Sequence, residues 1–433
     1  MIDKRHKVGF IGLGYAGFPM MCLFSSKYET AGFDLSFRRV TELQSGIDHC
    51  GDVPEEDIQK MLDSGTVISN EIKALKDCNI FIVTVPTPVD KNNEPDMSYL
   101  VSASREAGSV LKKGDIVIYE STVYPGATEE VCVPVLEETS GLKYNKDFFV
   151  GYSPERINPG DREHTPQNVV KVTSGSTKQT AQIVKDLYAG VLGEEYLHSV
   201  SSIKVAEACK IVENTQRDIN IAFINEIAKI LNAMDIDTNE VVDAMDTKWN
   251  ALKFRPGLVG GHCIGVDPYY LIEKANSIGI EPKLIKTGRK INISMSEYIA
   301  TKVTENLKGR LKNLKNAKIL LLGFAFKENC PDVRNTKVYD VYRALKRATA
   351  NIEIYDPMVD NELAHDLYGI NVKTNLHQLS HKRFDAIVVC VPHAFFQDID
   401  FKHLLNNRGF IFDLKGAFNN EILKKKEIEV KTL

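Results

Sequence analysis

Three patterns in the 433-residue chain predict an α/β fold of two doubly wound domains, joined by a central helical region with one long helix. The first is alternation. Short β-branched runs at Lys7 to Ile11, Thr30 to Asp34, Ile80 to Val85, Ile116 to Tyr119 and Phe148 to Gly151 are separated by helix-like stretches, the signature of βαβ units and a parallel sheet. The second is a change of period near Ser201. From there SSIKVAEACKIVENTQRDINIAFINEIAKILNAM runs without Gly or Pro, with Val205, Cys209, Val212, Ile219, Phe223 and Ile227 near helical spacing behind a Ser N-cap. The third is an internal echo: HKVGFIGLGYAG, AGFD and KDCNIFIVTVPTP in the first half are answered by AKILLLGFAFK, IEIYDP and RFDAIVVCVPHA in the last third. Expected boundaries are 1–200, 201–312 and 313–433, with fraying confined to the Lys- and Glu-rich last residues.

The composition is that of an ordinary soluble protein, with a formal net charge of −4 and both signs interspersed. That gives no reason to expect a nucleic-acid or membrane partner. The N-terminal MIDKRHKVGFIGLGYAG reads as a first strand rather than a secretion signal, because its apolar run is short and patterned with Gly. No apolar run reaches membrane-spanning length. The eight cysteines form no CxxC pair, and several lie in apolar runs, which favours a reducing, cytoplasmic setting.

Directly after the first strand, Gly12, Gly14 and Gly17 spell G-x-G-x-x-G around Tyr15 and Ala16, and Asp34 ends the second strand. The spacing has physical reasons. Gly12 permits the tight turn, Gly14 lets the backbone approach a pyrophosphate, and Gly17 brings the helix N-terminus close. The first domain is therefore Rossmann-like, and the internal echo extends that expectation to the last third of the chain. Asp34 suits both hydroxyls of an adenosine ribose, which favours NAD over NADP, although Arg39, also expected at the cofactor, is a base that could hold a 2′-phosphate. Pro86 and Thr87, in VPTP, stand at the carboxyl end of the next strand, where open sheets bind ligands.

The segment TKWNALKFRPGLVGGHCIGVDPYYL narrows through Gly257, Gly260 and Gly261 before presenting His262, Cys263 and Asp267. Adjacent His262 and Cys263 lack the further ligands a metal site needs, so no metal is expected. A structural thiol and a covalent nucleophile both remain, since a thiolate attacks an aldehyde readily.

With GLGYAGFP, ESTVYPGAT, GYSPERINPG, AEACKIVENT, GGHCIGVDPYYL and GFAFKENCPDVRNT in order, the chain resembles the UDP-glucose/GDP-mannose dehydrogenase family along nearly its whole length. It is most similar to the branch acting on UDP-N-acetylhexosamines. The resemblance implies an N-terminal NAD-binding domain, a central dimerisation region carrying the catalytic Cys and a C-terminal UDP-sugar domain, in a homodimer. It implies Cys263 as nucleophile, with Asp267 positioning or activating water. Lys210 and Asn214 follow as an oxyanion-stabilising pair, set on one helix face by their i, i+4 spacing. Glu155 becomes the active-site carboxylate and Thr122 the residue near the nicotinamide and the reactive carbon. Lys327 and Arg334 would contact substrate and cofactor, and Arg156, Asn158, Phe254, Arg255, Gly257, Gly260 and Gly261 would line the sugar nucleotide.

The implied reaction is a four-electron oxidation at C6 by two NAD, through a thiohemiacetal and a thioester, supplying surface polysaccharide precursors. SPERINPG, where many UDP-glucose members carry a SPEFLREG-like segment, puts UDP-glucose in doubt; the hexose epimer, gluco, galacto or manno, stays open. Two readings compete. A two-electron hydroxyacid dehydrogenase would give Cys263 no role, and a non-catalytic NAD sensor would have no use for the reactive residues.

Overall fold

The computed structural model describes residues 6–48, 53–156, 167–418, 423 and 427–433. By its internal contacts the chain divides into two compact units, Met1–Glu213 with Tyr269–Ile280, and Asn214–Pro268 with Glu281–Leu433.

The first unit holds an eight-stranded sheet. Its strands are β1 (Lys7–Ile11), β2 (Glu29–Phe33), β3 (Val67–Ser69), β4 (Ile80–Val83), β5 (Ile116–Tyr119), β6 (Phe149–Tyr152), β7 (Lys171–Gly175) and β8 (Leu197–Ser199). They lie in the order β3-β2-β1-β4-β5-β6-β7-β8, all parallel except the β6–β7 pair. The order reverses between β1 and β4, which opens a crevice at their carboxyl ends. Apolar runs rather than alternating patterns make these strands because both faces are covered. Val8, Phe10, Ile80, Ile82 and Ile118 pack to one side and Ile11, Phe81, Val83, Val117 and Val150 to the other. Each such side chain contributes about 2 kcal/mol on leaving water.

The second unit carries a five-stranded parallel sheet, ordered β10-β9-β11-β12-β13. Its strands are β9 (Lys318–Leu322), β10 (Asn351–Tyr355), β11 (Phe384–Val389), β12 (Leu405–Asp413) and β13 (Glu429–Thr432). The echo noted in the sequence is thus a second doubly wound sheet. The expectation of fraying is corrected for the last five residues, of which 429–432 pair with β12 and Leu433 is fully buried, while the lysines at 424–426 lie outside the described residues.

The long helix spans Ile203–Ala233, with the Ser202 hydroxyl accepting from Val205 N–H at its start. The apolar residues at helical spacing do not make its buried face, and Cys209, Ile219 and Ile227 are only half-buried. Val205, Val212 and Phe223 are exposed, whereas the buried face carries Glu207, Lys210, Asn214, Asp218 and Asn225. Burial of such a polar face is tolerable because its groups are paired. Glu207 accepts from the backbone N–H of Gly126 and Thr128, at 2.5 and 2.9 Å. Asp218 pairs with Arg289 at 2.5 Å and accepts from Asn292 at 2.7 Å. Among the described residues no helix is long and apolar enough to cross a membrane, and no cysteine is in a disulfide.

Candidate active site

In the first unit the glycine-rich turn follows β1 as its spacing requires. Gly12 has φ +92°, and an added Cβ on Gly17 would fall 2.1 Å from the Gly12 carbonyl oxygen and 2.2 Å from Thr84 Oγ1. A Cβ on Gly14 would meet nothing within 4 Å, so the space above the turn is open. Tyr15 and Ala16 lead into the helix Gly17–Ser25, whose N-terminus has no side-chain cap and no acidic residue in its first turn. That end carries the positive pole of the helix, which suits a pyrophosphate.

Asp34 is half-buried. It accepts from Leu13 N–H and Ser36 N–H, both at 2.8 Å, and each carboxylate oxygen has a second lone pair for a ribose hydroxyl. Arg39 donates from Nε to the Leu13 carbonyl at 2.8 Å, lies over the Phe18 ring and pairs with Asp48 at 2.8 Å. Its charge is thus balanced within the fold. That resolves the ambiguity at this position: the site fits the unphosphorylated ribose of NAD.

Pro86 is exposed and Thr87 half-buried just beyond β4. Thr84, which the sequence reading passed over, donates from its hydroxyl to the Gly12 carbonyl at 2.7 Å and ties that strand end to the turn. Its place beside VPTP was the available signal.

Thr122 is half-buried in the segment after β5, where Ser121 donates to the Val85 carbonyl at 2.7 Å and Tyr152 donates to the Ser121 carbonyl at 3.0 Å. Glu155 follows β6 by three residues. Its Oε2 lies 3.9 Å from the ammonium of Lys171, which also pairs with the buried Glu120 at 2.9 Å. Burial pushes the Glu120 carboxyl up, against the pull of Lys171; burial also lowers Lys171, but the two carboxylates outweigh it and hold its ammonium above its ordinary value. Arg156 pairs with Glu213 and donates to the Val170 carbonyl at 2.6 Å. Asn158 and Pro159 lie outside the described residues. Lys210 is buried on the long helix one turn before Asn214.

In the second unit Asn214 donates to Asp267 Oδ2 at 2.6 Å, and both side chains are buried. Asp267 opens the helix Asp267–Ser277, and its N–H, with that of Val266, donates to the Cys263 carbonyl at 2.8 and 3.0 Å. Cys263 itself is half-buried in this turn. Burial and the Arg334 guanidinium together outweigh Asp332 and hold the neighbouring His262 below its ordinary value, so the imidazole is neutral near pH 7.

The glycines of the segment serve backbone packing. A Cβ on Gly261, at φ +80°, would stand 2.6 Å from the Phe326 ring, and one on Gly260 would stand 2.7 Å from the Asn335 carbonyl oxygen. Gly257 is held through both its N–H and its carbonyl by Asn225, at 2.8 and 3.0 Å. Nothing in the sequence marked Asn225, because a helix-face amide reads as solvated. Phe254 is half-buried; Arg255 is turned onto Asp243 at 2.5 Å and Asp246 at 3.6 Å. Lys327 lies over the Phe326 ring, while Arg334 forms a two-pronged pair with Asp332.

The two echoed aspartates differ. Asp356, at the end of β10, is fully buried, accepts from Phe324 N–H and Ala325 N–H, and pairs with His393 at 3.0 Å. It closes its own turn, whereas Asp34 stands partly open.

Fold and site together define a nucleotide-dependent oxidoreductase of two doubly wound units. Residues 6–192 match the NAD binding domain of the UDP-glucose/GDP-mannose dehydrogenase family, 204–294 its central domain and 320–420 its UDP binding domain; the chain belongs to that family. It is an NAD-dependent dehydrogenase. It is 49% identical over 421 residues to UDP-N-acetyl-D-glucosamine 6-dehydrogenase of Pseudomonas aeruginosa, covering 96% of this chain and 98% of that one. It is 44% identical to the enzyme of the same name from Salmonella typhi, covering 94% and 96%. Among solved structures, UDP-D-ManNAc dehydrogenase of Pyrococcus horikoshii superposes with TM-score 0.87 at 27% identity, covering 98% of both chains.

Proposed function

We propose that the chain oxidises C6 of a UDP-N-acetylhexosamine, UDP-N-acetylglucosamine foremost, to the uronic acid in two steps. The carrying observation is the turn that holds Cys263 and Asp267 together through the Asp267 N–H and the Cys263 carbonyl, with the Asp267 carboxylate accepting from Asn214. The names of the P. aeruginosa and S. typhi relatives favour the gluco sugar. NAD, when bound at the glycine-rich turn, accepts one hydride in each oxidation.

The protein does the rest. A carboxylate, Glu155 or Asp267, removes the proton as the C6 alcohol becomes an aldehyde, and the Cys263 thiolate adds to that aldehyde carbon, forming the C–S bond of a thiohemiacetal oxyanion as the C=O π pair moves onto oxygen. Loss of the second hydride leaves a thioester. Water, deprotonated by Glu155 or Asp267, adds to the carbonyl and expels the thiolate. Lys210 and Asn214 donate to the developing oxyanion, a contribution of about 3 kcal/mol to the barrier. Thr122 stands beside the reacting carbon, and Lys327 and Arg334 hold the diphosphate side. Covalent capture keeps the aldehyde from escaping while the cofactor exchanges.

The working division is 1–200 for NAD, 201–312 for dimerisation and the catalytic Cys, and 313–433 for UDP, in a homodimer. Phe223 and Ile230 on the long helix and Met234 just beyond its end are 55%, 52% and 61% exposed, and Leu284 on the helix Lys283–Lys308 is 66% exposed. Such a face is costly in water and suits a second copy. Phe223→Asp is expected to give monomers by light scattering. The product is a charged glycosyl donor for surface polysaccharide, made in the reducing cytoplasm where the thiol survives.

The test is NADH absorbance with UDP-N-acetylglucosamine, UDP-N-acetylgalactosamine, UDP-N-acetylmannosamine and UDP-glucose. The gluco N-acetyl sugar is expected to give the highest kcat/KM and two NADH per sugar. A yield of one with free aldehyde would overturn the four-electron reading, and preference for UDP-glucose the sugar assignment.

A further inference from the structure

Beneath Glu155 lies a buried charge cluster to which the reaction above gives no role. Glu120, directly after β5, is 1% exposed; its carboxylate accepts from the Tyr188 hydroxyl and from Lys171 at 2.9 Å. Lys171, the first residue of β7, sits over the Tyr188 ring at 5.2 Å and donates to the Pro154 carbonyl at 3.5 Å. The same ammonium is 3.9 Å from Glu155 Oε2. Two carboxylates therefore share one cation. Side-chain exposure rises from 0% at Glu120 through 8% at Lys171 to 12% at Glu155, so the cluster leads outward to the group assigned to the chemistry.

The backbone ties the same elements together. Glu155 N–H donates to the Glu120 carbonyl at 3.3 Å, and Glu120 directly precedes Ser121 and Thr122. A buried ion pair is weak evidence for stability, because an apolar pair of equal volume does as well or better. Here the pair reaches a third charge at the edge of the interior.

We propose that Lys171 is a positioning residue that orients the Glu155 carboxylate for proton transfer, and that Glu120 is the buried counter-charge that sets how strongly Lys171 grips it. The inference rests on the reading of Glu155 as an active-site carboxylate. The charged and titratable groups around Glu155 are Lys171 from β7, Glu120 after β5, Tyr188 from the helix Lys178–Leu192, and the adjacent Arg156, itself paired with Glu213 of the long helix.

The signs follow from the charges. Lys171→Gln removes the cation beside the Glu155 carboxylate, so the acidic limb of the kcat/KM profile moves to higher pH. Glu120→Gln removes the competitor, Lys171 leans onto Glu155, and the limb moves to lower pH. Lys171→Arg keeps the charge and leaves the limb in place while kcat falls about tenfold, because the planar fork cannot reproduce the geometry.

The experiment measures kcat/KM for UDP-N-acetylglucosamine with NAD against pH for the full-length wild type, K171Q, E120Q, K171R and the control E155Q, with thermal melting of each. Opposite displacements in K171Q and E120Q are the expected result. Limbs that coincide with wild type in either correctly melting variant, with E155Q inactive, overturn the positioning role. An E155Q enzyme that forms acid at the wild-type rate overturns the Glu155 reading itself. E120Q is the second arm because K171Q leaves a buried carboxylate without its cation and is the variant more prone to misfold.

Discussion

Cys263→Ala is expected to lower uronic acid formation by more than about 10³-fold while leaving the fold intact. On the proposed thioester route the aldehyde would then have no covalent station, and the second oxidation would lack its substrate. The turn does not depend on the side chain for its shape: the bonds from Val266 N–H and Asp267 N–H end on the Cys263 carbonyl, which alanine retains. The thermal midpoint should therefore stay within a degree or two of wild type. NADH counted against sugar, with an aldehyde-trapping reagent present, separates the steps. Two NADH per sugar from the alanine variant would remove Cys263 from the mechanism. One NADH with trapped aldehyde would place the block after the first oxidation, as the thioester route requires.

Gly17→Ala should be the most damaging single methyl in the first unit. Its Cβ would lie 2.1 Å from the Gly12 carbonyl oxygen and 2.2 Å from Thr84 Oγ1, and these two atoms are themselves 2.7 Å apart in a hydrogen bond. Neither can yield without moving the turn or the end of β4. The overpacking cost is about 3 kcal/mol, and displacement of the helix N-terminus should weaken NAD binding by about 100-fold or more. Gly14→Ala is the matched control. Its Cβ meets nothing within 4 Å, so the melting temperature should hold while the methyl enters the pyrophosphate space and NAD affinity falls. Calorimetric titration with NAD and thermal melting of both variants check the pair. Equal melting losses would mean that Gly17 is not the close-packing glycine.

The sheets were legible because strands buried on both faces must be apolar throughout, and the runs at β1, β2, β4, β5 and β6 lie within a residue or two of where the pattern put them. The antiparallel join of β7 to β6 was not legible, since a strand's direction depends on its partner. The long helix was foreseen, but its facing was not. Periodicity counts apolar residues and assigns them to the core, whereas here Phe223 is exposed and Asp218 and Asn225 are inside. Their partners, Arg289, Asn292 and Gly257, are distant in sequence.

By itself the sequence determined the two doubly wound units, the dinucleotide turn with its acidic residue, and the ordered motifs of the family, because those depend on local geometry and residue chemistry. Tertiary structure alone decided that Asp356 is buried where its counterpart Asp34 is open, that Arg39 is neutralised by Asp48, and that Lys171 stands between Glu120 and Glu155. A charge reads the same in any sequence. What it does depends on how far it lies from water and on which opposite charge the fold sets beside it.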